Sequence, residues 1–364
     1  MKQKEIKLLR NIQIGKRKIG PDEPCFVVAE MSGNHDGSID KAKQIIHAAR
    51  ESGADAVKFQ AYLPDTITLD SDSEDFRIPS KSPWEDYKTL YAFYEKAHTP
   101  WAWFNELFEE CRSIGLEAFS SVFDPTSVDF LENIDCPVYK IAGPEITDIP
   151  LLEKVAHTNK PVIVSTGLAT LSDLDLAVQT LKQNGSQGII LVKCTTAYPT
   201  PPEEVNLRTI PNLAETFQCH VGLSDHTLGI GVPIASVCLG AKAIEKHFVL
   251  DRREKSVDDF FSLEPEEFRQ MVNEVRKVEK ALGMVNYDLT PAAQEHQNGR
   301  RSLYVFADIS KGERFTVNNV RSVRPAFGLH PKHLDSILGK RAIRDLSSGD
   351  RLSWDVIDME ENGE

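Results

Sequence analysis

The chain has 364 residues, 41% of them hydrophobic and 27% charged, enough for one large domain with its own core and a smaller second one. Asp and Glu number 55 against 42 Lys and Arg, a formal charge of −13, which argues against sequence-independent binding to nucleic acid or adhesion to anionic lipid, since both need a basic footprint. A small anionic substrate stays compatible with that balance, because the field inside a cleft is set by the groups that line it.

The opening residues, Met1-Lys-Gln-Lys-Glu-Ile-Lys, carry no apolar stretch of the secretory type. The six cysteines (Cys25, Cys111, Cys136, Cys194, Cys219 and Cys238) show no CxxC spacing. Together these features predict a cytoplasmic protein with small buried thiols rather than disulfides or a zinc site. The longest mostly apolar run, 229–244, is broken by Pro233 and carries Lys242, so no membrane span is expected.

From Pro24 to Gly283 the sequence alternates short apolar runs with longer stretches of helical periodicity. Strands are predicted over 25–31, 54–60, 116–121, 138–142, 162–166, 189–194, 220–224 and 243–248. Helices are predicted over 39–52, 101–114, 125–133, 148–157, 171–184, 205–217, 230–240 and 264–282. Capping signals such as Asp124-Pro125, Ser172-Asp173 and Glu264-Pro265-Glu266-Glu267 support three of the helices. Eight strand–helix units fit a (β/α)8 TIM barrel, usually about 250 residues long. A doubly wound open sheet is the alternative, but no GxGxxG turn follows the first strand.

The residues 61–100 are too many for an ordinary βα loop and carry Trp84, Tyr87, Tyr91, Phe93 and Tyr94. They are expected to form either a packed excursion with its own short helix or a lid or substrate wall. A polar linker, 284–298, separates the barrel domain (1–283) from a C-terminal segment (299–364) of different character. That segment has strand-like runs at 302–306 and 320–323, and 308–320 nearly duplicates 345–357. The duplication predicts a small β-rich domain with an internal two-fold repeat.

In a closed barrel alternate residues point inward, and the last inward residue of each strand lines the mouth at the C-terminal end. Those positions read Glu30, Lys58 with Gln60, Ser121, Lys140, Ser165, Thr196 just past the sixth strand, Ser224, and Glu245 with His247. Upstream residues of matching parity, such as Val28, Ala56, Phe119 and Val192, are apolar or small. The same switch on eight strands predicts one polar pocket at one end.

Two ammonium groups, Lys58 and Lys140, with the hydroxyls of Ser121, Ser165 and Ser224, make a cradle suited to phosphate or carboxylate. The plainer alternative is that each lysine pairs with a carboxylate such as Glu30 or Glu145. His226 and His247 fall at the ends of neighbouring strands, where two imidazoles, with Glu30 and water nearby, suit an open divalent metal shell. Their spacing matches no metal signature, and a structural, hydrogen-bonded His226 is the alternative.

Several segments carry a family resemblance: Ala29-Glu30-Met-Ser-Gly-Asn34-His35-Asp-Gly37, Val57-Lys58-Phe-Gln60, Tyr139-Lys140-Ile141, Ser165-Thr-Gly167, Lys193-Cys-Thr-Thr-Ala-Tyr198-Pro199, Gly222-Leu-Ser224-Asp225-His226-Thr227 and Ile244-Glu245-Lys246-His247-Phe248. They resemble the sialic acid (N-acetylneuraminate) synthase family. Asp308-Ile-Ser-Lys-Gly312 and Arg324-Pro325 resemble the antifreeze-like (SAF, β-clip) domain of those enzymes. Glu30-Met31-Ser32, the run from Thr195 to Leu207, and 327–332 look closer to the pseudaminic acid synthases than to the N-acetylneuraminate branch.

The resemblance implies condensation of phosphoenolpyruvate with an open-chain N-acetylated amino sugar, 2,4-diacetamido-2,4,6-trideoxy hexose for the pseudaminic branch, with C–O cleavage and release of phosphate. It implies His226 and His247 as ligands of Mn²⁺ or Mg²⁺, and Lys58, Ser121, Lys140, Ser165, Thr196 and Ser224 as the phosphoenolpyruvate cradle. Gln60, Tyr198, Asp258 and Arg324 fall at sugar-binding positions. Arg324 would enter the barrel mouth of a second subunit, which implies a domain-swapped homodimer. Glu30 is the candidate for moving protons at the reacting water.

The chain departs from the family at two positions. Gly143 stands where the family commonly has a serine that touches phosphate, and a backbone N–H there is the expected partial substitute. Thr196 replaces the asparagine of N-acetylneuraminate synthases. The alternatives are a synthase of another nonulosonic acid (N-acetylneuraminate or legionaminate, from ManNAc or a related sugar) and a non-catalytic sugar-binding barrel.

Overall fold

A computed structural model describes residues 9–359, which divide into two compact units, Met1–Gly283 and Met284–Glu364. In the first, runs of β-branched and apolar residues form eight strands buried on both faces, as parallel strands under a helical layer must be. They are β1 (Phe26–Glu30), β2 (Ala56–Ala61), β3 (Glu117–Val122), β4 (Tyr139–Ile141), β5 (Val162–Ser165), β6 (Ile189–Cys194), β7 (His220–Asp225) and β8 (Ala243–His247). All pairs are parallel, and β8 closes on β1, with Glu245 opposite Val28 and His247 opposite Glu30. The expected TIM barrel is thus the observed fold.

Eight helices alternate with the strands: α1 (Ile39–Glu51), α2 (Trp101–Ser113), α3 (Pro125–Glu132), α4 (Ile149–Ala156), α5 (Leu171–Gln183), α6 (Thr209–Phe217), α7 (Gly231–Cys238) and α8 (Pro265–Leu282). Their starts follow local chemistry. Asp124 caps α3 ahead of Pro125, Thr170 caps α5 in a reciprocal pair with Asp173, and Glu264 with Glu267 does the same for α8. Helix α6 starts at Thr209 rather than at 205, because Pro202–Glu204 form a 3-10 turn and Asn206 takes a left-handed φ of 51° that a right-handed helix cannot include. Gly222 permits β7 and β8 to approach, since a Cβ there would collide with the Ala243 carbonyl.

A short hairpin, Ile12–Ile14 with Arg17–Ile19, was not anticipated from the sequence; strands of three residues are too short to show periodicity. It packs against the N-terminal ends of the strands: Ile12 lies over Gly188, and the Lys16 N–H donates to Glu117 at 2.7 Å. At the opposite end, the segment between β2 and α2 contains the short helices Pro64–Ile67 and Leu90–Ala97. It is tied down by the Trp84 indole N–H, which donates to the Val257 carbonyl at 2.9 Å. The excursion therefore has its own helices and also walls the barrel mouth.

The second unit contains β9 (Ser302–Val305) and β10 (Val320–Val323), paired antiparallel around a core that includes Leu303, Phe315, Ile337 and Leu352. The duplicated segments pair with each other. Ile309 and Leu346 exchange both backbone hydrogen bonds, at 2.8 and 2.9 Å. Asp345 accepts from the Lys311 N–H and Asp308 from the Ser348 N–H, both at 2.7 Å. Gly312 and Gly349 occupy equivalent turns at φ 83° and 96°, which favour glycine. The repeat is thus a pseudo-two-fold in three dimensions.

All six cysteines are free thiols; five are buried and Cys238 is exposed. Among the described residues no helix is long and apolar enough to cross a membrane.

Candidate active site

The strand register brings the polar strand ends to one level. Lys58 lies beside Glu30 on β1, and Gln60 is in register with Ser121, which is in register with Lys140. The Lys58 ammonium is 2.6 Å from Glu30, donates to the Ser121 hydroxyl at 3.0 Å and lies 3.6 Å from Glu245. Lys140, on the opposite wall from β8, donates to both oxygens of Glu245 at 3.0 Å. Ser224 donates to Glu245 at 3.0 Å, and Gln60 donates to Glu30 at 2.8 Å. Each of these side chains except Gln60 is buried.

Glu245 is the hub of this cluster, a role the sequence reading did not assign although it placed the residue at a strand end. Burial pushes its carboxyl up, but Lys140 and Lys58 outweigh burial and hold it down to about 2. Glu30 is pushed the other way by burial, an effect that Lys58 only partly offsets. The expected alternative for the lysines is corrected in part: they pair with Glu30 and Glu245, not Glu145. The Glu145 Oε2 atom is buried without a hydrogen-bond partner, and burial raises that carboxyl to about 7.

The hydroxyls of Ser165 and Thr196 lie on the next part of the rim. Ser165 is buried at the end of β5. Thr196 Oγ1 fills the space that two glycines leave open: a Cβ on Gly167 would overlap it, and one on Gly143 would lie 3.2 Å from it. The Thr196 hydroxyl, two residues past β6, therefore lies next to the position where Gly143 carries none.

His226, just past β7, and His247, the last residue of β8, stand side by side with ring centroids 5.4 Å apart. The Nδ1–H of His226 donates to the Thr195 carbonyl at 3.0 Å, which leaves Nε2 as its free nitrogen. His247 Nδ1 is buried with no hydrogen-bond partner and lies 3.7 Å from Asp258. Burial, reinforced by the neighbouring His226, keeps the His247 imidazole neutral. Two neighbouring imidazoles, one with an orphaned ring nitrogen, fit a shared divalent ion. Among the described residues no group of three His, Cys, Asp or Glu is placed to hold a metal ion, so the two rings would be its only such protein ligands there.

Asp258 is placed by Asn34, whose side-chain oxygen accepts from the Ser256 hydroxyl and the Asp258 N–H. Burial raises the Asp258 carboxyl to about 6, against a hydrogen bond from Ser32. Tyr198 packs on His226 at 4.5 Å, and Phe261 on His247 at 4.6 Å. Ser32 and Phe261 are given no role by the sequence, since they lie in a turn after β1 and a 3-10 turn (Asp259–Phe261) after β8, where no period marks a face; Trp84 belongs to the segment expected as a packed excursion or a lid or substrate wall. Arg324 follows β10 in the second unit, exposed and without an ion-pair partner among the described residues. It is not among the residues that the barrel itself brings together.

A parallel barrel whose C-terminal mouth gathers two buried lysines, their carboxylates, hydroxyls and a histidine pair, followed in the chain by a β-clip unit, defines an enzyme of the nonulosonic acid synthase class. The chain belongs to the NeuB family, which matches residues 45–287, and residues 300–357 match the SAF domain. It is similar to the pseudaminic acid synthase of Campylobacter jejuni (strain 81-176), with 45% identity over 94% of this chain and 98% of that one. It is also similar to the pseudaminic acid synthase of Helicobacter pylori, with 42% identity over 92% of this chain and 98% of that one. Among solved structures, the spore coat polysaccharide biosynthesis protein SpsE of Bacillus subtilis superposes with a TM-score of 0.66. That pair is 34% identical over 97% of this chain and 100% of that one.

Proposed function

We propose that this synthase condenses phosphoenolpyruvate with an open-chain 2,4-diacetamido-2,4,6-trideoxy hexose, giving pseudaminic acid and inorganic phosphate, in the cytoplasm. The observation that carries the reading is the meeting of Lys58, Lys140 and the rim hydroxyls with the His226–His247 pair at one barrel end. The choice of sugar is supported by the names of the relatives that match nearly the whole chain.

In this reading Lys58, Ser121, Lys140, Ser165, Thr196 and Ser224 hold the phosphate and carboxylate of phosphoenolpyruvate. Fixed ammonium and hydroxyl groups then face the charge that builds on the departing phosphate, usually the largest electrostatic contribution in such sites. C3 of the enol bonds to the aldehyde carbon as the C=O pair moves onto its oxygen, which takes up a proton. Water adds at C2, and as the new C2 hydroxyl loses its proton the C2–O bond to phosphorus breaks on the carbon side, so that phosphate leaves with the bridging oxygen. Glu30, its carboxyl raised by burial, accepts a proton from that water. His226 and His247 would hold Mn²⁺ or Mg²⁺, which when bound supplies a Lewis acid for the aldehyde. Gln60, Tyr198 and Asp258 orient the sugar. Arg324 of a second copy, in a domain-swapped homodimer, binds an N-acetyl group.

The test is phosphate release and product mass with phosphoenolpyruvate, Mn²⁺ and a panel of N-acetyl and diacetamido sugars. His226→Ala and His247→Ala should each lose turnover and weaken Mn²⁺ binding, read by electron paramagnetic resonance, while the barrel stays folded by circular dichroism. Either variant retaining both turnover and Mn²⁺ affinity would refute the metal assignment.

A further inference from the structure

The mouth of the barrel has a polar side and an aromatic side. The polar side is the lysine and hydroxyl cluster. The aromatic side begins at the histidine pair, where Tyr198 lies on His226 and Phe261 on His247 at 4.5 and 4.6 Å. It continues outward: Trp84 packs on Tyr198 at 5.5 Å, on Phe260 at 6.1 Å and on Phe93 at 5.4 Å. Three different chain segments supply these rings, namely the excursion after β2 and the loops after β6 and β8. The Trp84 N–H bond to Val257 pins the indole next to Asp258, one residue further on.

Trp84 is only half-buried, and Phe260 keeps 37% of its surface exposed. The wall therefore offers ring surface beside groups assigned to the sugar. A methyl group placed there is taken out of water and meets polarizable carbon. We infer that Trp84, with Phe260, receives a methyl-bearing part of the acceptor sugar and is a specificity-determining residue of this enzyme. The methyl can come from the deoxygenated terminal carbon or from the 4-acetamido group, and the two sources are separable by experiment. The inference rests on the reaction proposed above and adds to it the residue that selects the apolar substituent.

The experiment compares kcat/KM of wild type, Trp84→Ala and Trp84→Phe for three sugars. The first is the 2,4-diacetamido-2,4,6-trideoxy hexose, the second its 6-hydroxy analogue, and the third its analogue with a 4-hydroxyl in place of the 4-acetamido group. Burying one methyl carbon is worth about 0.8 kcal/mol, or about fourfold. Wild type should accordingly prefer the first sugar over the analogue lacking the contacted methyl by about fourfold or more. Trp84→Ala should erase that preference, and Trp84→Phe, which keeps a ring, should retain most of it. Loss of discrimination against the 6-hydroxy sugar alone identifies the terminal methyl, and loss against the 4-hydroxy sugar alone identifies the methyl-bearing 4-acetamido group. If Trp84→Ala lowers kcat/KM for all three sugars by the same factor, the residue only anchors the excursion and the inference is overturned. Wild type inactive towards every sugar overturns the reaction and the wall together, whereas an active wild type whose selectivity survives in Trp84→Ala overturns the wall alone.

Discussion

Replacing Glu245 by Gln removes one negative charge from the centre of the lysine cluster while keeping the side chain's shape. In the folded chain this carboxyl is held down to about 2 from an ordinary 4.5. Each pKa unit corresponds to 1.36 kcal/mol, so the ionised carboxylate contributes about 3 kcal/mol of stability at pH 7. That agrees with the roughly 3–5 kcal/mol lost when one partner of a buried ion pair is removed. Because the folded pKa lies below the unfolded one, the contribution is complete above about pH 4.5 and fades as pH falls towards 2.

Urea unfolding at pH 7 in phosphate-free buffer should show Glu245→Gln about 3 kcal/mol less stable than wild type. Among the described residues Lys58 then keeps its ion pair with Glu30, and Lys140 loses the one carboxylate it pairs with. Added inorganic phosphate should consequently stabilise the variant more than the wild type, through preferential binding to the folded state. Equal stability of the two proteins without phosphate, or equal stabilisation of both by phosphate, would refute the account of Glu245 as counter-ion to both lysines.

Two further outcomes follow from the same rim. Gly167→Ala places a Cβ on Thr196 Oγ1 and should cost about 1–3 kcal/mol through overpacking; adding Thr196→Ala should recover part of the loss in a double-mutant thermal unfolding cycle, and a neutral Gly167→Ala in the wild-type background would contradict the geometry. Glu145, raised by burial to about 7, binds its proton more tightly in the folded than in the unfolded chain, so it erodes stability as pH rises from about 4.5 to 7, by up to about 3 kcal/mol. Glu145→Gln should therefore gain stability relative to wild type between pH 5 and 7.5, as measured by urea unfolding at both values; a constant difference would exclude the buried acid.

The strands were legible because buried parallel strands are runs of apolar and β-branched residues, and the switch to polar residues at their C-terminal ends repeats eight times. Lys58, Lys140, Ser121, Ser224 and the two histidines were located on this basis, and the family resemblance named roles for them. The N-terminal hairpin was not legible, since three-residue strands leave no period to read. Nor was the start of α6, where a left-handed Asn206 ends what looks like continuous helical patterning.

Local pattern determined the order of elements, the barrel, the β-rich repeat and which residues occupy strand ends, because side-chain direction along a strand alternates with a period of two. Which of those residues touch was decided by closure. Lys140 on β4 meets Glu245 on β8 across the barrel at 3.0 Å, although 105 residues separate them in the chain. Trp84 reaches Tyr198 and Phe260 only because the excursion folds back over the mouth. Contacts of that kind depend on the tilt and shear of the closed sheet and on the reach of a buried lysine, none of which a linear pattern carries.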